Sequence, residues 1–299
     1  MDKKQSALIR IIAWSVVAVV LAGILVLGLT GNVGSGIGGF SIFGINLGGH
    51  YADAGRYKAG PGEIPAEKIQ DLEINWLDGN VEVEVYDGGT VQFSETSRRK
   101  LSEKNQMHYY NKNGKLIIQY QESFTGVFHF FNTGGNKELK VKIPSSIAGD
   151  FGDVRIDTVS ADTEVFGISG DKFRLDSTSG GFHLERCSAS EIETDTTSGS
   201  MTADGSYGEV EFDTVSGNLN LSSKICPSRI NTDGVSGNVT LFLPENDGFT
   251  YKSDSVSGSL TCEFQVSQGE GRGTYKNGKS KFSFDSVSGD VQIKNIDNH

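Results

Sequence analysis

Asp213-Thr-Val-Ser-Gly217 is one copy of a phrase that returns through the second half of the chain. The others are Asp157-Thr-Val-Ser-Ala161, Asp176-Ser-Thr-Ser-Gly180, Asp195-Thr-Thr-Ser-Gly199, Asp233-Gly-Val-Ser-Gly237, Asp254-Ser-Val-Ser-Gly258 and Asp285-Ser-Val-Ser-Gly289. Successive Asp residues stand 19, 19, 18, 20, 21 and 31 positions apart. A steady period of about 20 residues is the signature of a stacked repeat.

Around the phrase, apolar residues alternate with polar ones. Val154, Phe173, Ile192, Val210, Ile230, Tyr251 and Phe282 lie three residues before the Asp. Pairs such as Leu219/Leu221, Val239/Leu241, Leu260/Cys262 and Val291/Ile293 lie two and four residues after the Gly. Period-two alternation predicts a half-buried strand on each side of the phrase, and the change of parity across it predicts a corner. Gly at that corner suits a backbone with positive φ. A unit of this length holds two short strands and two turns, which is one coil of a β-solenoid. One coil cannot bury its own apolar face, but coils stacked at roughly 4.8 Å share a core. A β-sandwich also shows strands at intervals of 8–12 residues, but it does not repeat the same chemistry at one phase.

Stacking in register would place the Asp residues in a column of mutually repelling carboxylates. One remedy is an Asx-turn, in which each Asp accepts amide hydrogen bonds from its own corner or a Ser/Thr hydroxyl from the next coil. The other is a column of Ca²⁺ ions held by Asp176, Asp195, Asp213, Asp233, Asp254 and Asp285. The nine-residue Gly-Gly-x-Gly-x-Asp repeat of calcium-binding β-rolls is absent, so the Asx-turn is the preferred reading, and no metal or cofactor is assigned.

The 299 residues carry 27 Lys+Arg against 38 Asp+Glu, an acidic balance that argues against a nucleic-acid partner. Gly is abundant at 39 and Pro scarce at 5, as many tight turns require. Cys187, Cys226 and Cys262 are too few for a disulfide framework; Cys262 reads as a core residue, with a Cys187–Cys226 bridge as the minor alternative. The five His residues fall at unrelated phases, and Ser and Asp are spread one per coil. Catalysis needs a gathered nucleophile, base and orienter, so the expectation is that the protein is not an enzyme.

Residues 1–10 read as a cytoplasmic tail. Residues 11–29 contain no charge, and the segment 11–30 reads as a transmembrane anchor. No further Lys or Arg appears until Arg56, which places the remainder outside the membrane. A signal peptide cleaved after Val20-Leu-Ala22 is the alternative, but the apolar run continues seven residues beyond it. Residues 31–62 form a Gly-rich tether. Residues 63–150 read as an N-terminal cap of antiparallel strands and degenerate coils, with Asn75 in the Asp place, and 151–297 as the solenoid proper. Hairpins are expected at Val85-Tyr-Asp-Gly-Gly-Thr-Val91 and Asn111-Lys-Asn-Gly-Lys115, an edge strand ending at Pro144, and a projecting hairpin at 267–278. Phe124, Phe128, Phe130 and Phe131 form an apolar loop that is a candidate partner patch.

The Val-Ser-Gly phrase, the Lys-Val-Lys-Ile-Pro144 strand and Gly271-Arg-Gly-Thr-Tyr-Lys276 together resemble the bacterial "putative adhesin" domain family, a domain of unknown function, over residues 63–293. The resemblance implies a β-solenoid-type all-β fold outside the membrane of Gram-positive bacteria, behind a single N-terminal anchor. Some members are encoded beside envelope-stress signalling systems, and no catalytic residues are established for the family. The expectation is therefore an all-β, single-pass cell-membrane protein: an adhesin-like binding or scaffold module of the envelope, or else an accessory regulator of an envelope-stress sensor. Its expected partners are the membrane, an envelope protein or wall glycan, and further copies of itself.

Overall fold

The alternating residues around the phrase form strands that pair side by side, all running the same way. The computed structural model describes residues 40–42, 45–47, 53–122, 137–269 and 271–298. The tail and anchor, most of the tether, and Phe124, Phe128, Phe130 and Phe131 lie outside these. No helix among the described residues is long and apolar enough to cross a membrane. Within the tether range, Phe40–Ile42 and Ile45–Leu47 pair as a small antiparallel ladder.

The pairings build nine coils, each made of a strand before the corner and one after it. Coil 1 is Lys115–Gln119 with Glu138–Pro144, and coil 2 is Asp71–Trp76 with Asn80–Tyr86. Coil 3 is Phe151–Thr158 with Asp162–Phe166. Coil 4 begins with Ser169–Ser177 and is closed by the first part of Phe182–Thr196, which bends at a bulge between Glu185 and Cys187 to open coil 5. Met201–Thr214 likewise closes coil 5 and opens coil 6, which Leu219–Ser223 completes. Coil 7 is Arg229–Ser236 with Val239–Leu243. Coil 8 is Ser280–Ser288 with Val291–Asn295, and coil 9 is Phe249–Ser257 with Leu260–Cys262.

Inward positions are those expected. Val154, Phe173, Ile192, Val210, Ile230, Tyr251 and Phe282 are all buried, as are Leu219, Leu221, Val239, Leu241, Val291 and Ile293. Each such side chain contributes about 1.5–3 kcal/mol, and no lone coil gathers enough to offset ordering some 20 residues. Stability therefore needs several coils stacked together. The three cysteines are free: Cys187 is buried, and Cys226 and Cys262 are half-buried.

The order of the stack departs from the order of the chain at both ends. The first coil in sequence, Asp71–Tyr86 in extent, lies second in space, between coils 1 and 3. The last in sequence lies eighth, between coils 7 and 9. Both chain-terminal coils thus have a neighbour on each side.

Four expectations are corrected by the strand pairings. Residues 63–150 supply two full parallel coils, and only Lys58–Ala59, Gly62–Pro65, Thr90–Thr96 and His108–Lys112 pair antiparallel beyond them. Glu138–Pro144 is no edge strand, for it pairs with Asn80–Tyr86 on one side and Thr90–Thr96 on the other; Pro144 is tolerated because it is the last residue of the strand. The same strand separates the two arms of the hairpin expected at 85–91. The hairpin at 111–115 does form, with Asn113 and Gly114 at φ 54 and 93. The hairpin of Ser267–Gly269 and Arg272–Thr274 does not project. Its second strand lies antiparallel along Phe249–Ser257 and covers part of the last coil.

Candidate functional site

Corner chemistry repeats from coil to coil, and most of it is directed at the neighbouring coil. The hydroxyls of Ser160, Ser179, Ser198, Ser216 and Ser236 donate to the carbonyls of Leu77, Val159, Thr178, Thr197 and Val215 at 3.2–3.5 Å. The amide of each of these serines donates to the same carbonyl. One residue past the Gly runs a second ladder. Asp162 accepts from the Gly181 amide, Ser200 from Asn218, Asn218 from Asn238, Asn238 from Asp290, and Asp290 from Ser259, at 2.8–3.1 Å. Nothing in the phrase itself announced this ladder, although the run of Asn, Asp and Ser at one phase was its signal.

The corner glycines are required by close approach. A Cβ on Gly180, Gly199, Gly217 or Gly258 would lie 1.9–2.2 Å from a carbonyl oxygen of the adjacent coil. None of these four has positive φ; Gly237 and Gly289, at φ 145 and 147, do, and they face the same obstruction. The positive-φ expectation therefore holds for only part of the column. The Asx-turn expectation is corrected too. Amides of Gly199 and Gly217 are capped by the Thr196 and Thr214 hydroxyls, both at 2.7 Å, one residue past the Asp.

The Asp side chains instead point outward from the first strand of each coil. Register places Asn75, Asp157, Asp176, Asp195, Asp213, Asp233, Asp285 and Asp254 side by side in that order. Cations sit near the two ends of the column. Arg155 Nε meets Asp157 at 2.9 Å and its terminal nitrogen meets Asp176 at 3.2 Å. Lys252 meets Asp254 at 2.5 Å and Asp285 at 3.9 Å. Among the described residues, no group of three or more His, Cys, Asp or Glu side chains is arranged to hold a metal ion.

Burial and crowding raise the pKa of several of these carboxyls. Burial, then the charges of Asp233 and Asp195, pushes Asp213 up to about 7, and burial also raises Asp195. Burial also raises the coupled pair Asp157 and Asp176, against the lowering pull of the Arg155 guanidinium that they share. A carboxyl whose folded pKa lies above its unfolded value near 3.8 is costly to ionise only in the folded chain. Stability is therefore lowest above the folded pKa and rises as pH falls from there toward 3.8. The melting temperature should be higher at pH 5.5 than at pH 8.5 by roughly 2–8 °C, equivalent to on the order of 1–2 kcal/mol once solvent access is discounted. Asp213→Asn should raise the melting temperature at pH 8.5 and shrink that rise. Thermal scans in matched buffers check this, and a lower melting temperature at pH 5.5 would contradict it.

A different construction occupies the corner of coil 1, where the phrase is replaced by the segment between Gln119 and Glu138. Lys137 and Glu95 have 1% and 6% side-chain exposure and meet at 2.7 Å. Lys137 Nζ also donates to the carbonyls of Asn105 and Tyr120, and lies 4.0 Å from the Tyr120 ring centre and 5.1 Å from that of Trp76. Burial pulls its pKa down to about 8 against the opposing pull of Glu95. Trp76 Nε1 donates to the Lys137 carbonyl at 3.2 Å, and the Tyr120 hydroxyl to Asp78 at 2.5 Å. The Glu122 amide donates to the Lys104 carbonyl at 3.0 Å. Both borders of the segment 123–136 are thereby fixed to the loop that joins Thr90–Thr96 to His108–Lys112. A shallow cavity of about 380 Å³ opens beside them, lined by Gly79, Asn80, Thr96, Ser97, Arg98 and Glu138. No periodic pattern in the sequence marks Lys137 or Glu95. Of the histidines, His108 is buried with Nδ1 2.9 Å from the Gln106 carbonyl, and His183 is exposed beside Phe166.

Residues 69–294 match the family model described as Toastrack DUF4097. Among solved structures, similarity extends to a putative cell adhesion protein from Clostridium sporogenes, at 16% identity and a TM-score of 0.33, over 79% of this chain and 99% of that one. A putative adhesin from Bacteroides fragilis matches at 11% identity and 0.46, over 78% and 96%. A putative lipid binding protein from Parabacteroides distasonis matches at 15% and 0.45, over 79% and 97%. No curated protein matches the chain.

Proposed function

Because this chain belongs to the Toastrack DUF4097 family, whose function is unknown, we propose that it serves as a non-enzymatic binding or scaffold module of the bacterial cell envelope, carried outside the membrane on an N-terminal anchor. The observation that supports this reading is the use made of the repeated residues. Ser, Gly and the residue after it are engaged in holding one coil to the next, and Asp and Ser recur one per coil without a gathered base. What the repeat offers a partner is a long, regular outer face, which suits binding or spacing better than a reaction. The anchor is inferred from the uncharged residues 11–29, and its orientation from Lys3, Lys4 and Arg10 on one side and no further cation until Arg56 on the other.

Crosslinking in cells, followed by purification of the intact protein, tests the proposal. Recovery of wall glycan, or of this protein alone as multimers, is the expected result. Recovery of one discrete membrane sensor would favour the accessory-regulator reading, since a cytoplasmic tail of residues 1–10 is too short to signal alone. Release of the protein from membranes by salt alone would remove the anchor from the reading.

A further inference from the structure

In a chain of formal charge −11, the capped end of the stack carries a group of cations with no carboxylate partner. Arg98, Arg99, Lys100 and Lys104 stand within seven residues of the loop that joins Thr90–Thr96 to His108–Lys112 beyond coil 1. All four are exposed, and among the described residues none lies within 4 Å of a carboxylate oxygen. Elsewhere, Lys112, Lys115, Lys140, Lys142, Arg155, Lys172, Arg174 and Lys252 each do. Other exposed cations without such a partner, such as Lys58, Lys68, Lys224, Arg272, Lys279 and Lys281, are not gathered four to a single loop. Glu103 is the one acidic residue inside the loop, with Glu122 and Glu138 nearby in the chain.

This end is also where the chain enters the fold. Asp53 pairs with Lys112 at 3.0 Å, Arg56 donates to the Tyr110 hydroxyl at 3.0 Å, and Lys58–Ala59 pairs with His108 and Tyr109. Everything N-terminal to the stack therefore leaves from the outermost layer beside the basic loop. Residues 31–52, 22 in number, are all that separate the segment read as the anchor from this layer.

We propose that the loop bearing Arg98, Arg99, Lys100 and Lys104 docks the capped end of the stack onto the anionic headgroups of the bilayer that holds the anchor. This rests on the anchored reading above. The charge is complementary, the tether is short, and the chain from the anchor joins the stack beside this loop, so this is the end held near the lipid. Docking would stand the column of coils away from the membrane.

The chain has two tryptophans, Trp14 in the anchor and Trp76 buried under the corner of coil 2. Full-length Trp14→Phe protein is reconstituted into vesicles carrying dansyl lipid, and energy transfer from Trp76 reports how close the capped end lies. Transfer should be greater in vesicles with phosphatidylglycerol than in phosphatidylcholine alone, and should fall as salt is raised. Each cation removed should weaken docking about fivefold. Changing all four to Gln should bring transfer to the phosphatidylcholine level, whereas Arg98→Lys with Arg99→Lys should leave it unchanged. If the fourfold variant melts early, Arg98→Gln with Arg99→Gln reads the same effect at smaller size. Equal transfer in the two lipids, or no response to the Gln changes in protein that floats with the vesicles, would overturn docking while leaving the anchor intact. Protein that does not float would remove the anchor, and the proposal with it.

Discussion

Gly217→Ala is expected to destabilise the stack by about 3 kcal/mol or more, and to leave much of the protein insoluble on expression. The added Cβ would lie 1.9 Å from the Gly199 carbonyl oxygen and 2.9 Å from its carbonyl carbon and from Thr214 Oγ1. Two of these are backbone atoms of the next coil, so no side-chain rotation relieves the clash. Relief requires coils 5 and 6 to part, which breaks the Ser216 amide bond to Thr197 and strains the ladder from Ser200 to Asn218. Gly234→Ala is the control. Its Cβ would meet nothing nearer than Thr214 Cγ2 and O, both at 3.5 Å, and its φ is not positive. That change should lie within about 1 kcal/mol of wild type and is expected to stabilise slightly by restricting the unfolded chain. Urea midpoints measure both. Equal midpoints for the two variants would mean that the coils are not packed at this spacing.

Lys137→Met should cost about 3–5 kcal/mol, because it leaves Glu95 buried and ionised with no counter-charge. The Asn105 and Tyr120 carbonyls would lose their shared donor as well. Adding Glu95→Gln removes the stranded charge while keeping an oxygen for the Met107 amide, which Glu95 now bonds at 2.7 Å. The double variant is therefore expected to regain at least half of the loss. A double variant no better than the single one would mean that the carbonyl contacts, and not the ion pair, hold this corner. Because Lys137 and the Glu122 amide hold to the same loop, hydrogen exchange of the Glu122 amide should quicken in the single variant and slow again in the double.

The coil itself was legible because its causes are local. Burial of Ile192, Val210 and Ile230 follows from alternation, and the side-by-side alignment of Asp195, Asp213 and Asp233 follows from near-constant spacing. Stacking order was not legible. Parallel strands in register present the same alternation to any neighbour, so nothing in Ser280–Ser288 marks it as the partner of Arg229–Ser236. The 31-residue step before Asp285 was the visible trace, since a longer connection is needed to pass around a coil. The glycine column was read for its dihedral freedom, but its cause is an oxygen on another coil, which no local pattern reveals. Lys137 and the loop at 98–104 lie outside the repeat, where there is no second copy with which to compare them.

The interleaving of the chain ends bears on how the molecule is made. A ribosome delivers the chain from its first residue to its last, and a simple solenoid could add each coil as it emerged. Here Phe249–Ser257 has no parallel strand to settle on until Ser280–Ser288 has been synthesised, because the later strand lies between it and Arg229–Ser236. Coil 9 takes its native place only after coil 8, so a chain that stops before Ser280 presents Arg229–Ser236 as an open edge.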